Sequence, residues 1–288
     1  MEILRARRAL LRRLLPDDEP GELTVCRGQF HDVVLSADRV VCFPRTAAAG
    51  DRLPQRAAVL GLLAGLDLGF RTPEPLSWGG VPGSDEPPFL VLGRVPGRPL
   101  DADALQDSET AEAAAAQYAA LLAGLARAGA AEAVRAALPH APADRWRRFA
   151  ADVRAELFGL MSEAGRRRAE RELAALDGLP HLTTAVVHGD LGAENVLWEY
   201  TDGLPRLGGV VDWDEVTLGD PAEDLAAVGA SYGEDFLADV LAHGGPPPGG
   251  LAARIAAIRG TFALQQALSG HRDGDAEERA DGLAGYRS

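Results

Sequence analysis

The chain has 288 residues, of which 47% are hydrophobic, and its formal net charge is −14 at pH 7. This length allows one large domain or two lobes with a buried core, and the hydrophobic content excludes disorder as the default state. The negative charge argues against general nucleic-acid binding and would attract a cationic small molecule, although it could equally serve solubility alone.

Lysine is absent, because all 29 residues of the combined Lys and Arg count are arginines. The composition therefore excludes a Schiff-base lysine and a Walker-A phosphate loop. Any phosphate-binding cation must be an arginine or a metal. No apolar run approaches the roughly 20 residues of a membrane span, so we expect a cytoplasmic protein without a membrane partner.

The first third of the chain is typical of a small strand-rich lobe. The segment "MEILRARRALLRRLL" has leucines at helical spacing between arginines, which predicts an amphipathic surface helix rather than a targeting peptide. "ELTVCRGQFHDVVLSADRVVCFPRT" predicts three short strands with turns near Gly28 and at "SAD", and its two cysteines are expected to be reduced core residues. A helix from about Asp51 to Leu66, a Pro/Gly-rich stretch and the strand "PFLVLGRV" follow.

Beyond the connector Pro96–Leu100 the pattern becomes helical, over residues 109–129, 144–178 and about 221–285. Two short apolar strands interrupt it near residue 190. We therefore predict an α+β protein with a small β-rich lobe over residues 1–95 and a larger, mostly helical lobe over residues 96–288.

Ionisable and amide side chains gather at the ends of these interrupting strands. The turn after Ala185–Val187 holds His188 and Asp190, Asn195 precedes the next strand, and Asp212 ends a later apolar run. Burying such groups costs stability unless they are paired or functional. Phosphoryl transfer needs one carboxylate near the acceptor hydroxyl, and a second carboxylate with an amide to hold Mg²⁺ against the nucleotide.

Three segments carry a family resemblance: "HGDLGAEN", "VVDWDEVTLGDPAEDLA" and "VPGRPL" resemble the aminoglycoside/choline kinase-like phosphotransferases. Over nearly the whole chain, segments such as "RGQFHDVVL", "LDLGFRTPEPLS" and "RGTFALQQAL" are similar to the branch that acts on viomycin- and capreomycin-type (tuberactinomycin) antibiotics. The resemblance implies a protein-kinase-like bilobal fold that uses ATP and Mg²⁺ to phosphorylate a hydroxyl of a cationic cyclic-peptide antibiotic.

Carried over position by position, the resemblance implies that Asp190 is the catalytic aspartate and His188 orients its loop. It implies that Asn195 and Asp212 hold the magnesium ion. The alternatives are a buried core histidine for His188 and a merely hydrogen-bonded turn for the others. Further along, Asp220 and Asp224 open a helix, and both are expected to cap it.

The chain departs from the family where a strand lysine and a helix glutamate usually fix the nucleotide phosphates. These positions correspond to Cys42 and Arg56. We expect Arg56 to reach the phosphates, since a guanidinium can hold two phosphate oxygens. Arg45 and Arg52 are rival candidates, and a surface location for Arg56 is the simplest alternative. The departure also leaves a nucleotide-binding pseudokinase as an alternative function.

Backbone segments are expected to complete the nucleotide site. The resemblance places adenine near Gly93–Val95, with Gly93 and Val95 among the contacts, and it places Gly28 and Gln29 of "RGQF" over the phosphates. A glycine in an ordinary hairpin turn explains Gly28 equally well.

The acceptor is predicted from acidity beside these motifs. Glu194, Asp214 and Glu215 would contact a cationic antibiotic, although each acid taken singly could be a solvated surface charge. Only six residues, "WDEVTL", separate Asp212 from Gly219, which leaves no room for the activation segment of a protein kinase. Kinases for an aminoglycoside or a macrolide remain alternatives. A monomer is expected.

Overall fold

The computed structural model describes residues 2–19, 21–28, 31–81, 83, 86–246 and 248–287. The chain divides into two compact units, each built from two segments. The first unit comprises Met1–Asp101 and Glu194–Asp214, and the second comprises Ala102–Ala193 and Glu215–Ser288.

Within the described residues, the first unit contains most of the strands and four short or medium helices. Its strands are β1 (Thr24–Arg27), β2 (His31–Leu35), β3 (Arg39–Pro44), β4 (Pro75–Gly79), β5 (Phe89–Gly93), β6 (Arg98–Pro99), β8 (Val196–Thr201) and β9 (Leu204–Val210). Its helices are α1 (Glu2–Ala6), α2 (Arg8–Leu14), α3 (Ala47–Asp51) and α4 (Leu53–Ala64).

The second unit is mostly helical. Its strands are β7 (Ala185–Val187) and β10 (Thr217–Gly219). Its α-helices are α5 (Ser108–Ala130), α6 (Glu132–Ala137), α7 (Arg145–Glu156), α8 (Glu163–Ala174), α9 (Ala222–Tyr232), α10 (Glu234–His243), α11 (Leu251–Arg259), α12 (Phe262–Asp273) and α13 (Ala276–Gly282).

An antiparallel sheet with strand order β1–β2–β3–β5–β4 forms the frame of the first unit. Val34 pairs with Val41, which in turn pairs with Val91, so three β-branched residues line up across neighbouring strands. All three are at most 2% exposed and pack with Leu11 of α2. This row of valines fixes the strand register, because a slip of one residue would turn it away from the core.

Helix α4 presents one apolar face to the core of the first unit. Leu53, Ala57, Leu60 and Leu63 recur at helical spacing and are all buried. Pro54 lies in the first turn, where a missing backbone N–H costs no helical hydrogen bond. The same helix carries Arg56.

The hairpin of β8 and β9 belongs to the first unit because its backbone bonds to Arg71. The Arg71 N–H donates to the Gly208 carbonyl at 3.3 Å, and the Val210 N–H donates to the Arg71 carbonyl at 2.9 Å. A Cβ on Gly209 would lie 2.3 Å from the Arg71 carbonyl oxygen, so only glycine permits this approach. Residues 194–214 thus belong to the first unit, whereas the division between residues 95 and 96 expected from sequence places them in the second lobe. The assignment of functions to the two lobes stays a prediction.

In the second unit, helix α5 supports the strand pair of β7 and β10. Strand β7 leads into the turn that holds His188 and Asp190. Strand β10 pairs antiparallel with β7, with Val187 opposite Thr217. A Cβ on Gly129 of α5 would lie 2.6 Å from the Cα of Ala185, so helix and strand backbones are in direct contact. A separate apolar cluster buries Leu157, Leu173 and the C-terminal Tyr286 completely.

Most of the expected elements are present, with some differences. The three N-terminal strands, the strand at Phe89–Gly93 and the long helix Ser108–Ala130 are confirmed. The Pro/Gly-rich stretch contains β4, the connector contains β6, and the N-terminal amphipathic segment forms two short helices. The expectation that both cysteines are buried was wrong for Cys26, which is exposed on an edge strand, while Cys42 is buried. Among the described residues, no helix is long and apolar enough to cross a membrane.

Candidate active site

The loop that follows β7 is organised around a completely buried histidine. His188 is 0% exposed, and its Nδ1 accepts the backbone N–H of Asp190 at 3.2 Å. Gly189 between them has φ +89°, and a Cβ there would lie 2.8 Å from the Glu215 carbonyl oxygen. The loop therefore turns where only glycine fits, and it leaves the Asp190 residue exposed. His188 therefore helps to fix the conformation of this loop, and the catalytic role expected of Asp190 stays a prediction.

A buried acid holds the same loop from helix α9. The Asp224 carboxylate accepts the backbone N–H groups of His188 at 2.9 Å and of Gly189 at 3.1 Å. Burial raises the pKa of Asp224 to about 7, although the two N–H donors partly oppose the rise. The expectation that Asp224 caps its own helix was wrong, because the carboxylate is used by a distant backbone segment.

Asp220 has the capping role expected of it. Its Oδ1 accepts the Ala222 N–H at 3.0 Å at the start of α9, and its Oδ2 accepts from Arg254 Nε at 2.7 Å. Both side chains of this ion pair are only 9% exposed. The start of α9 is thereby fixed to α11, and the bonds from Asp224 extend this support to the Asp190 loop.

In the first unit, the two expected metal ligands lie at the same end of one strand pair. Val196 pairs with Val210, and the Asn195 carbonyl accepts the Val211 N–H at 2.9 Å. Asp212 follows directly with φ +63°, a left-handed conformation that is uncommon for residues other than glycine. Such strained residues concentrate at functional sites.

The residue after Asp212 anchors this turn in the core. Trp213 is 3% exposed, its Nε1 donates to the Val210 carbonyl at 2.9 Å, and its ring stacks on Phe70 with 6.3 Å between centroids. Because Trp213 points into the core, the chain on both sides of it is held in place.

Arg56 occupies a buried polar cluster rather than the surface. Its Nε lies 2.6 Å from Asp214 Oδ1, and its Nη1 lies 3.4 Å from both ring nitrogens of His31. Cys42 is a further neighbour, and burial raises the pKa of its thiol. The helix arginine therefore lies beside the strand position where the resemblance expects a lysine.

The rival arginines have other surroundings. Arg45 donates to the Gly28 carbonyl at 2.9 Å, and Arg52 is exposed at the end of α3. The surface alternative for Arg56 is also disfavoured, since only 18% of its side chain is exposed.

The expected adenine and phosphate segments are only partly described. The Gly28 N–H donates to the His31 carbonyl at 2.8 Å and closes the turn between β1 and β2, while Gln29 lies outside the described residues. Gly93 ends β5, and its N–H donates to the Glu74 carbonyl at 2.8 Å. Val95 is 7% exposed.

The expected substrate contacts differ in their surroundings. Glu194 lies in the short 3₁₀ helix Ala193–Asn195, and both Glu194 and Glu215 are exposed. The Asp214 carboxylate is engaged by Arg56, and His31 Nδ1 lies 3.9 Å from its other oxygen. The Asp214 side chain is 23% exposed, and the expected contact of these three acids with a substrate stays a prediction.

The donor set fits Mg²⁺ better than a transition metal. Within the described residues there is no cluster of three or more His, Cys, Asp or Glu side chains that could hold a metal ion. Asn195 and Asp212 offer one amide and one carboxylate. Magnesium is usually bound by one or two carboxylates together with water and substrate phosphates, so this sparse oxygen set suits it.

Two supporting residues were missed or misassigned by the sequence reasoning. Ser231 Oγ accepts the Ala193 N–H at 3.0 Å and ties the loop after Asp190 to α9. Asp224 was noticed but given the wrong role. The signal for Asp224 was its place in "GDPAEDLA", whereas a serine inside a helix carries no local signal of a partner elsewhere in the chain.

Comparisons with known proteins agree with the motifs. The model of the phosphotransferase enzyme family (APH) matches residues 27–255. Viomycin phosphotransferase of Streptomyces vinaceus is 68% identical over 287 residues, which cover 100% of both chains.

Solved structures show the same fold at lower identity. The GDP complex of wild-type aminoglycoside 2'-phosphotransferase-IIIa is 22% identical, with a TM-score of 0.81 over 97% of this chain and 96% of that one. The streptomycin–ATP ternary complex of APH(2")-IIa is 17% identical, with a TM-score of 0.69 over 96% and 94%.

The expected fold class is confirmed as the kinase-like fold of the aminoglycoside phosphotransferases, with an N-terminal antiparallel sheet and a mostly helical C-terminal part. The expectation of an enzyme that transfers phosphate is confirmed as well. The chain belongs to the phosphotransferase enzyme family.

Proposed function

We propose that this chain inactivates a cationic cyclic-peptide antibiotic of the viomycin type by transferring the γ-phosphate of ATP to one of its hydroxyl groups. The observation that carries the proposal is 68% identity to viomycin phosphotransferase over the full length of both chains. The motif residues Asp190, Asn195 and Asp212 are all present in this chain, which argues against the pseudokinase alternative.

The proposed roles follow from the chemistry of phosphoryl transfer. Asp190 orients the acceptor hydroxyl and takes its proton as the oxygen attacks the γ-phosphorus, and the bond to the β–γ bridging oxygen breaks. His188 and Asp224 keep the Asp190 loop in one conformation. Arg56 binds phosphate oxygens, and the turn at Gly28 and Gln29 covers them.

Magnesium, held by Asn195 and Asp212, would neutralise charge on the nucleotide phosphates. The backbone of Gly93–Val95 binds adenine, and Glu194 and Glu215 attract the cationic antibiotic. Residues 1–95 would then be the nucleotide-binding lobe and residues 96–288 the lobe for catalysis and substrate binding. The proposed nucleotide is ATP, and the proposed state of the protein is a monomer in the cytoplasm.

A transfer assay with the full chain tests this function. The protein is incubated with Mg²⁺, ATP or GTP, and viomycin, capreomycin, kanamycin or a macrolide, and each antibiotic is then weighed by mass spectrometry. We expect one phosphate on viomycin or capreomycin and a slower reaction without Mg²⁺. Transfer only to the aminoglycoside or the macrolide, or nucleotide binding without any transfer, would refute the proposal.

A further inference from the structure

We propose that Asp214 is a positioning residue for the nucleotide phosphates, which acts by holding Arg56. In this arrangement the pair Arg56–Asp214 replaces the strand lysine and helix glutamate that are usual in the family and that this chain lacks. The inference rests on the proposed use of ATP, and it removes Asp214 from the expected contacts with the antibiotic.

The ion pair is close and largely shielded from water. Arg56 Nε lies 2.6 Å from Asp214 Oδ1, and the two side chains are 18% and 23% exposed. Charges in such surroundings interact more strongly than on the surface, and loss of one partner leaves the other uncompensated. A carboxylate that is open to a cationic drug would not already be paired with an arginine at this distance.

The third member of the cluster adds no charge of its own. Burial, with Arg56 beside it, lowers the pKa of His31 to about 4, so the ring is neutral near pH 7. His31 begins β2, directly after the turn that is expected to cover the phosphates. Asp214 is therefore the carboxylate that compensates Arg56 from this side of the cluster, while His31 limits how the guanidinium can tilt.

The position of Asp214 is set by its neighbours in the chain. Trp213 is anchored by its hydrogen bond to Val210 and its stacking on Phe70, and Asp212 is held in a left-handed conformation. With Trp213 fixed, the acids before and after it have little freedom. The expected metal ligand and the partner of Arg56 are thus coupled through one tryptophan.

The Arg56–Asp214 pair also explains Cys42 and Arg56 together, the two positions at which the chain departs from the family. Burial raises the pKa of the Cys42 thiol, which disfavours its anionic form, and a cysteine side chain has no cationic form that could replace the lysine. A cation on α4 in place of a glutamate needs an acid from another element, which Asp214 provides. Arg56 Nε lies 2.6 Å from Asp214 and Nη1 lies 3.4 Å from both ring nitrogens of His31, so the guanidinium is held from two sides. A guanidinium in a fixed orientation can bind phosphate oxygens with its planar fork.

Steady-state kinetics and direct nucleotide binding of full-length variants test the inference. Asp214→Asn removes the charge at nearly constant shape, and Asp214→Glu keeps it. Glu199→Gln is the matched control, because it removes an acid that pairs with Arg71 at 3.8 Å in the same unit, outside the proposed site. Thermal unfolding of each variant reports whether it folds.

We expect Asp214→Asn to raise the KM for ATP and the Kd of a fluorescent ATP analogue by roughly tenfold, the change that about 1.4 kcal/mol produces. The KM for the antibiotic should stay within about twofold of the wild-type value, and Asp214→Glu should recover part of the affinity for ATP. A rise in the antibiotic KM with unchanged ATP binding, or no change in either, would overturn the inference.

A double-mutant cycle separates this role from general support of the fold. Arg56→Met together with Asp214→Asn should weaken ATP binding little more than Arg56→Met alone, because the acid acts only through the arginine. Additive effects would contradict the proposal. If the wild-type chain phosphorylates no antibiotic, the proposed acceptor fails, and the binding cycle with the ATP analogue still decides the role of Asp214.

Discussion

At the residue scale, the conformation of the Asp190 loop depends on two buried side chains, His188 and Asp224, that take no part in the proposed reaction. His188 accepts the Asp190 N–H, and Asp224 accepts the N–H groups of His188 and Gly189. The backbone N–H groups of His188, Gly189 and Asp190 are therefore all bonded to side chains. The backbone of a short turn between strands cannot satisfy these donors by itself. The exposed Asp190 can then be changed without disturbing the buried part of the loop.

We expect Asp190→Asn to lower kcat for antibiotic phosphorylation at least about 10²-fold, the lower range for loss of a positioned base, with unchanged thermal unfolding. Asp202→Asn is the control, because it removes the same charge from the hairpin turn, where φ is +53° and asparagine is tolerated. Near-normal turnover by Asp190→Asn would remove Asp190 from the catalytic role.

Asp224 predicts a pH dependence of stability. Its pKa is about 7 in the folded protein, against an ordinary value of 3.8 for an aspartate in water, so folding takes up a proton between about pH 4 and pH 7. The free energy of unfolding contributed by this group therefore falls as the pH rises through that window.

Denaturant unfolding of the wild type and of Asp224→Asn, at about pH 5 and about pH 8, measures this effect. We expect the stability of the wild type relative to the variant to be lower at the higher pH by more than about 1 kcal/mol, since one pKa unit corresponds to about 1.36 kcal/mol. A difference that does not change with pH would show that Asp224 does not titrate in this range.

At the scale of elements, the Asp190 loop is positioned by a helix that contacts the strand preceding it. Gly129 of α5 lies against Ala185 at the start of β7, and β7 leads directly to His188. The backbone contact leaves no space for a side chain. Helix α5, which carries none of the proposed catalytic residues, therefore sets where the Asp190 loop begins.

Gly129→Ala should lower the free energy of unfolding by about 1–3 kcal/mol, the usual cost of overpacking, although alanine is the better helix former. Gly61→Ala in α4 is the matched control. Its Cβ would meet Pro75 Cγ at 3.6 Å, an ordinary contact, so helix propensity alone should make it neutral or stabilising. Equal effects of the two substitutions in urea unfolding would refute the close packing of α5 on β7.

At the scale of the whole molecule, the net charge of −14 creates a negative potential that favours cationic ligands. Some acids are paired with arginines, as in Arg254–Asp220 and Arg56–Asp214, and the net charge already includes these arginines. The charges of exposed acids such as Glu215 are not offset by a buried ion pair of this kind. Their attraction for a cationic ligand is therefore sensitive to salt.

We expect the KM for viomycin to rise severalfold between low salt and about 0.5 M NaCl, because added ions screen exposed charges. The KM for ATP, an anion bound through Arg56 and metal, is measured in the same series as the control for general salt effects. An antibiotic KM that is independent of salt would contradict electrostatic attraction of the drug.

The sequence by itself determined the features that depend on neighbouring residues. Apolar runs that end in His188, Asp190 and Asp212 predicted strands with functional side chains at their ends, and the absence of lysine predicted that an arginine replaces it. The predicted strands are present because strand pattern is a local property of the chain, while the roles of these side chains and of the arginine stay predictions.

Tertiary structure decided which distant groups become partners. Asp224 serves the backbone of the His188 loop instead of its own helix, Asp214 pairs with Arg56 across a long stretch of sequence, and the β8–β9 hairpin joins the first unit through Arg71. An acid in a sequence has the same local pattern whether it caps a helix, meets a ligand or compensates a buried cation. Packing alone selects among these roles, because it determines which charge loses its water and must be paired.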